Sequence, residues 1–258
     1  MIAQDLALAL DPALLAERVG LALDPWQRDV LRSTEQQVIL NISRQAGKST
    51  VTSMIGLHEA LYRAPALVLL LAPALRQAQE LYRKVKDAYL RLGQPVPTVE
   101  ESALRMELAN GSRIVALPGK EATIRGFSGA ALLLVDEASR VPDDLYQAVR
   151  PMLAVSGGRI VLLSTPWGKR GFFFEEWTSG EGWERVRITA DQCPRIPAGW
   201  LERERLSLPP HVYRSEYMCE FGETLDSVFG HDDIQAAFDP GLVPLFDRPL
   251  FAPKGATA

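Results

Sequence analysis

Apolar residues along this chain fall into short unbroken runs, separated by longer segments in which they recur at intervals of three and four. The runs are "QVILNI" (37–42), "ALVLLLAP" (66–73), "GAALLLVDEAS" (129–139) and "GRIVLLSTPWG" (158–168). Runs of that length with turn residues at their ends read as buried strands. "WERVRIT" (183–189) reads as a fifth. Between them, "KSTVTSMIGLHEALYR" (48–63) and "ALRQAQELYRKVKDAYLRLG" (74–93) carry helical spacing, and the second is amphipathic. "SALRMELANGSRIVALP" (102–118) places Asn110-Gly111 between two alternating runs, the signal of a hairpin. "DPALLAERVGLAL" (11–23) predicts a helix, and "DPWQRDVLRS" (24–33) starts another with Asp24 as cap and Pro25 in its first turn.

Strands alternating with helices predict an α/β fold with a mainly parallel sheet covered on both faces. Beyond residue 195 the pattern becomes helical, and in "DPGLVPLFDRPLFAPKGATA" (239–258) periodicity is lost. The expected organisation is therefore a core at 1–195, a small helical lid at 196–235 and a linker or tail at 236–258.

Composition narrows the class. The 258 residues are 47% hydrophobic and 23% charged, a globular balance, with no apolar run near the roughly 20 residues that span a bilayer. No secretory leader is expected, because the first residues lack Lys or Arg and include Asp5. Two cysteines and three scattered histidines offer no metal-ligand spacing, and an intracellular setting is expected. Net charge is -4, which argues against a generic nucleic-acid coat. The distribution is uneven: residues 63–125 hold ten Lys/Arg against six Asp/Glu, whereas 191–258 hold six against eleven. That local basic region is compatible with a DNA-contacting face. Arg76, Arg83, Lys84 and Arg91 on the second helix are the candidates, although charges opposite an apolar stripe are what any surface helix shows.

The candidate chemistry begins at "VILNISRQAGKST" (38–50). Its end matches the phosphate-binding pattern G-x-x-x-x-G-K-[ST], and it follows a strand and opens a helix, as that motif requires. Ile42 replaces the first glycine, and Arg44 sits inside the loop. In such a loop, Ser43 to Thr50 (Ser43, Arg44, Gln45, Ala46, Gly47, Lys48, Ser49, Thr50) cradle phosphates with backbone N–H groups. Lys48 reaches the β/γ-phosphates and the Ser49 hydroxyl meets Mg²⁺. "LLLVDEA" ends a strand with Asp136 and Glu137, one suited to hold Mg²⁺ and the other to polarise an attacking water. Ser164 and Thr165 end another strand, either as γ-phosphate-sensing hydroxyls or as an ordinary turn before Pro166 and Gly168. Gln27 offers the donor and acceptor that fit the N6/N7 edge of adenine.

Together these stretches resemble the large terminase subunit of tailed bacteriophages. The resemblance is carried by "NISRQAGKST", the upstream "WQ", "TIRGFSG" (123–129), "LLLVDEASRVPDDLY" (132–146) and "LLSTPWGKRGFFFEEW" (162–177), in that order. It implies a P-loop NTPase of the additional-strand, catalytic-glutamate type that hydrolyses ATP with Mg²⁺ to drive viral DNA into a procapsid. By resemblance, Gln27 contacts adenine, Arg44 and Lys48 contact phosphate, Asp136 stands on the metal side and Glu137 is the catalytic acid. Ser164-Thr165 are the coupling motif, and Arg140 is an arginine finger offered to a neighbouring subunit. Arg125 is a second finger or γ-phosphate contact. The implied partners are double-stranded DNA, further copies in a pentameric ring, a portal protein and a small terminase subunit, in the host bacterial cytoplasm and away from membranes. Large terminases usually carry a second, nuclease domain. No second strand-plus-aspartate set follows residue 190, and Asp232-Asp233 read as a helix cap, so nuclease activity is not expected. Two other readings share the motifs: a helicase-like DNA translocase, which needs a second motor lobe, and an ATP-binding assembly or switch module with little turnover.

Overall fold

A computed structural model of the chain describes residues 2–119 and 126–222. Three helices open it: α1 (Ile2–Leu10), α2 (Pro12–Arg18) and α3 (Pro25–Arg32). Then follow β1 (Gln37–Ile42), α4 (Lys48–Tyr62), β2 (Leu67–Ala72), α5 (Leu75–Arg91), β3 (Thr98–Glu101), β4 (Arg105–Leu108) and β5 (Arg113–Pro118). After the undescribed segment come β6 (Leu132–Asp136), α6 (Asp143–Val149), β7 (Arg159–Ser164), α7 (Gly171–Thr178), β8 (Glu184–Ile188), α8 (Ala198–Ser207) and α9 (Pro210–Met218).

The strands form one eight-stranded sheet in the order β3-β4-β5-β2-β6-β7-β1-β8. The six from β5 to β8 pair in parallel, and β4 and β3 extend that sheet antiparallel. The apolar runs are continuous because both faces are covered. Val38, Leu40, Val68, Leu70, Leu132 and Leu134 pack on one side with α2 to α5. Ile39, Leu69, Leu71, Leu133 and Val135 pack on the other with α6 and α7.

Two expectations are corrected. The opening 11–23 segment is not one helix. Asp11 caps α2 by accepting from Ala13 N at 2.9 Å, and Gly20, at φ +84, closes it. Gly20 N donates to Glu17 O and Leu21 N to Ala16 O, the double bond of a glycine-terminated helix. The second correction is β3, which the pattern did not announce: "TVEE" is a short, charged edge strand, and such edges resist further pairing because they carry few apolar residues. The "WERVRIT" strand and the hairpin formed as expected.

Within the segment expected to form a lid, α8 and α9 share a small core with Ala190, through Leu201 and Tyr217. The expected limit at 235 and the tail at 236–258 lie outside the described residues.

Candidate functional site

β1, β6 and β7 all end on the same edge of the sheet, and the candidate side chains converge there. β7 separates the acid-bearing β6 from the loop-bearing β1, leaving a gap in which loop and acids face one another. The loop enters α4 at Gly47, whose φ of +88 suits glycine. A side chain there would also meet Gln27 Nε2 at 3.0 Å and Arg195 Nη2 at 3.2 Å. The helix starts at Lys48, so its free N–H groups and dipole face the loop.

Ser49 Oγ donates to Asp136 Oδ2 at 3.0 Å, and Asp136 Oδ1 accepts from Glu137 N at 2.9 Å. Burial raises the Asp136 carboxyl above the ordinary carboxylate value, and the neighbouring Glu137 charge raises it further. Glu137 adopts a left-handed backbone, φ +49. That conformation is strained for a non-glycine residue and recurs at functional sites. Its Oε1 lies 3.6 Å from Lys48 Nζ. Magnesium takes hard oxygens, one or two from protein and the rest from water and phosphate. The Ser49 hydroxyl and Asp136 carboxylate fit that requirement, and among the described residues no cluster of three or more His, Cys, Asp or Glu offers a competing cage.

A cavity of about 310 Å³ opens over this edge, lined by Arg44, Lys48, Gln77, Glu137, Arg140, Thr165 and Glu216. Glu216, from α9, is shared by two arginines: Arg44 Nε stands 3.8 Å from Oε2 and Arg140 Nη2 3.8 Å from Oε1. Arg140 also lies over the Trp167 ring at 3.8 Å, a cation–π contact. The backbone joins the same helix to the loop, since Arg44 N donates to Glu216 O at 2.9 Å. Ser215 Oγ donates to Pro166 O at 2.8 Å.

Ser164 and Thr165 are buried, and Ser139, close behind the acidic pair, is bonded to both. Ser139 N donates to Ser164 Oγ at 3.2 Å, and Ser139 Oγ lies 2.7 Å from Ser164 Oγ and donates to Thr165 O at 2.8 Å. Gln27 is also buried, but its amide is turned inward. Oε1 accepts from Asp24 N at 2.9 Å and Nε2 donates to Ala46 O at 3.3 Å. Of the remaining sequence candidates, Gln45 lies in the loop with φ +64 and the Ser43 hydroxyl is buried without a partner. Arg125 and Asp232-Asp233 fall outside the described residues. Sequence reasoning did not single out Ser139, Trp167, Gln77, Arg195 or Glu216. Ser139 and Trp167 sit inside the quoted motifs; nothing in the sequence marks Glu216 apart from other helix acids.

Residues 39–236 match the family model described as the terminase large subunit, T4likevirus-type, N-terminal. The chain belongs to this large-terminase family. The large terminase subunit of Thermus phage G20c is 29% identical over 84% of this chain. That alignment covers 52% of the relative, so the chain spans about half the length of the curated terminase. Among solved structures, the large-terminase ATPase domain of Thermus phage P74-26 superposes with a TM-score of 0.73 at 22% identity, covering 80% of this chain and 96% of that one. The large terminase of another thermophilic bacteriophage, in complex with ADP, gives 0.62 at 13% identity over 81% of this chain and 53% of its own. The fold is that of a large-terminase ATPase domain.

Proposed function

We propose that this chain is the Mg²⁺-dependent ATPase domain of a phage DNA-packaging motor. The observation that carries the reading is the meeting of Lys48, Ser49, Asp136 and Glu137 at one sheet edge in a chain of this family. A relative solved with ADP and with ATPγS supports a nucleotide as the ligand.

The roles follow from chemistry. The loop N–H groups and Lys48 hold the β/γ-phosphates, and Arg44 adds a second cation there. Ser49 and Asp136 would hold Mg²⁺, which neutralises phosphate charge. Glu137 accepts a proton from water as its oxygen bonds to the γ-phosphorus and the bond to ADP breaks. A triphosphate entering the loop competes with Glu137 for Lys48, which frees the carboxylate as the substrate arrives. Ser164-Thr165, through Ser139, couple the acidic pair to a neighbouring strand end. Arg140 or Arg125 serves as the finger in a ring of subunits. Membership of the large-terminase family supports a part in DNA packaging, and double-stranded DNA, a portal and a small terminase subunit are the partners which that reading implies.

The test is ATP hydrolysis per subunit over a wide protein concentration range, with Glu137→Gln and Arg140→Ala alongside. Hydrolysis that requires Glu137, rises with concentration and falls in the arginine variant is the expected result. A concentration-independent rate untouched by Arg140→Ala would remove the finger role from Arg140. Absence of turnover in the unaltered chain with intact ATP binding would favour the switch-module reading.

A further inference from the structure

Topology distinguishes the two ends of a nucleotide lying on this loop. The acids stand on the β6–β7 side of β1, while β8 flanks its other side. A triphosphate with its γ-phosphate toward Lys48 and Glu137 therefore directs its nucleoside toward β8. The segment leaving β8 returns over the loop at that place. Arg195 Nη2 donates to Ala46 O at 2.7 Å and pairs with Asp24 Oδ2 at 2.9 Å. Between this segment, Gln45 and the start of α8 lies a cavity of about 470 Å³. Its lining includes Ile196, Pro197 and Trp200, together with Arg195 and Arg203. Trp200 is half-buried, and Tyr217 meets it edge to face with ring centroids 5.6 Å apart.

Gln27, the residue expected to read adenine, is 3% exposed and has both ends of its amide bonded to backbone. It clamps the loop to the start of α3. The groups that line the β8-side cavity are of a different kind: an indole, two guanidinium planes, a proline and an aliphatic chain. Such surfaces take a base by its face, and every base has a π-face.

We propose that the base of the bound nucleotide docks in this cavity, stacked on Trp200 and the Arg195 and Arg203 guanidiniums. Because the contact is to the ring face and not to its edge, the site accepts purine triphosphates with little regard to the exocyclic groups. This rests on the ATPase reading and adds to it the base subsite and its permissiveness.

Titration calorimetry of the full chain with ATPγS, GTPγS and inorganic tripolyphosphate, in Mg²⁺, tests it. ATPγS and GTPγS are expected to bind within about fivefold of one another, and both more tightly than tripolyphosphate. Trp200→Ala should weaken both nucleotides by about tenfold, the scale of one lost base–aromatic stack, and leave tripolyphosphate unchanged. Trp200→Phe should retain most of the affinity. If Trp200→Ala also weakens tripolyphosphate, the loop has been disturbed and Arg203→Gln decides: unchanged nucleotide affinity in that variant overturns the proposal. It is equally overturned by ATPγS preferred over GTPγS by about a hundredfold with Gln27→Ala abolishing the preference. A chain that binds neither nucleotide nor tripolyphosphate loses the ATPase reading as well; one that binds all three equally loses only the base site.

Discussion

Replacing Glu137 with Gln separates the two roles proposed for its carboxylate, partner of Lys48 and proton acceptor from water. Its Oε1 stands 3.6 Å from Lys48 Nζ. Two unit charges at that spacing attract by about 4–5 kcal/mol at an effective dielectric of about 20. Lys48 is almost enclosed, with a side chain 9% exposed, and Glu137 is 25% exposed, so desolvation cancels much of this attraction. A net coupling of about 1–2 kcal/mol remains, and an incoming γ-phosphate must compete with it for the same ammonium. The Gln variant removes the competitor. It should bind ATP about tenfold more tightly than the unaltered chain, by the relation of about 1.4 kcal/mol to each factor of ten.

The same substitution removes the proposed proton acceptor, and such an acceptor is worth about 10²–10⁴ in rate. The assays are equilibrium binding of ATP and steady-state phosphate release on the same preparations. Tighter binding with turnover reduced at least about a hundredfold is the expected pair of results. Turnover within a few-fold of the unaltered chain would refute Glu137 as the base. Weaker ATP binding would refute the competition for Lys48, whatever the rate. A fall in melting temperature without nucleotide, restored by ATP, would accompany the expected result, because Lys48 is then buried without its partner.

Three further outcomes rest on particular contacts of the fold. Ionised Asp136 is costly in the fold, since burial and the Glu137 charge raise its pKa; above the ordinary carboxylate range the unfolded chain holds that charge more cheaply, so Asp136→Asn should raise the melting temperature in EDTA at pH 7 by a few degrees (about 2–4 °C per kcal/mol) while abolishing Mg²⁺-dependent turnover, and a lower melting temperature would contradict this. His58 is held neutral, its pKa lowered from the ordinary 6.5 chiefly by burial, with Nε2–H donating to Ala9 O at 3.0 Å and Leu8 O at 3.2 Å. The stability it lends is complete above pH 6.5 and drains away as pH falls below, so denaturant titrations at about pH 7 and 5 should differ by an amount that His58→Gln reduces. Ser139→Ala deletes the hydroxyl bonds to Ser164 and Thr165, at about 1 kcal/mol each; the melting temperature should drop with ATPγS affinity unchanged, and a large loss of affinity would instead make Ser139 a phosphate contact.

The sheet was legible because each strand buried on both faces must be an apolar run, and the acids were legible because they terminate one. What escaped had physical reasons. β3 is an edge strand of mixed polarity, so it has no pattern to show. The helix expected over 11–23 begins where it should, with Asp11 capping α2 and also binding Arg32 (Nη2–Oδ2 2.7 Å), but it stops at Arg18 because Gly20, at φ +84, closes it. Gln27 was singled out for its hydrogen-bonding capacity, and in the fold one acceptor site and one donor of its amide are engaged by Asp24 N and Ala46 O. A donor–acceptor pair in sequence does not say which way it faces. Glu216 became visible only when α9 was seen to carry it to the loop.

α9 also explains why the polar edge and the covering helices act as one unit. In three successive residues it meets the strand-end turn, the loop and α8: Ser215 binds Pro166 O, the Glu216 carbonyl accepts from Arg44 N while its carboxylate neighbours both arginines, and Tyr217 packs on Trp200. A polyanion drawing Arg44 away from Glu216 thus changes the charge balance on a helix whose next residue supports the β8-side cavity. The proposed phosphate and base ends are separated by the loop but joined through that helix. Occupancy of one is therefore expected to be felt at the other through contacts between adjacent residues, without any rearrangement of the sheet.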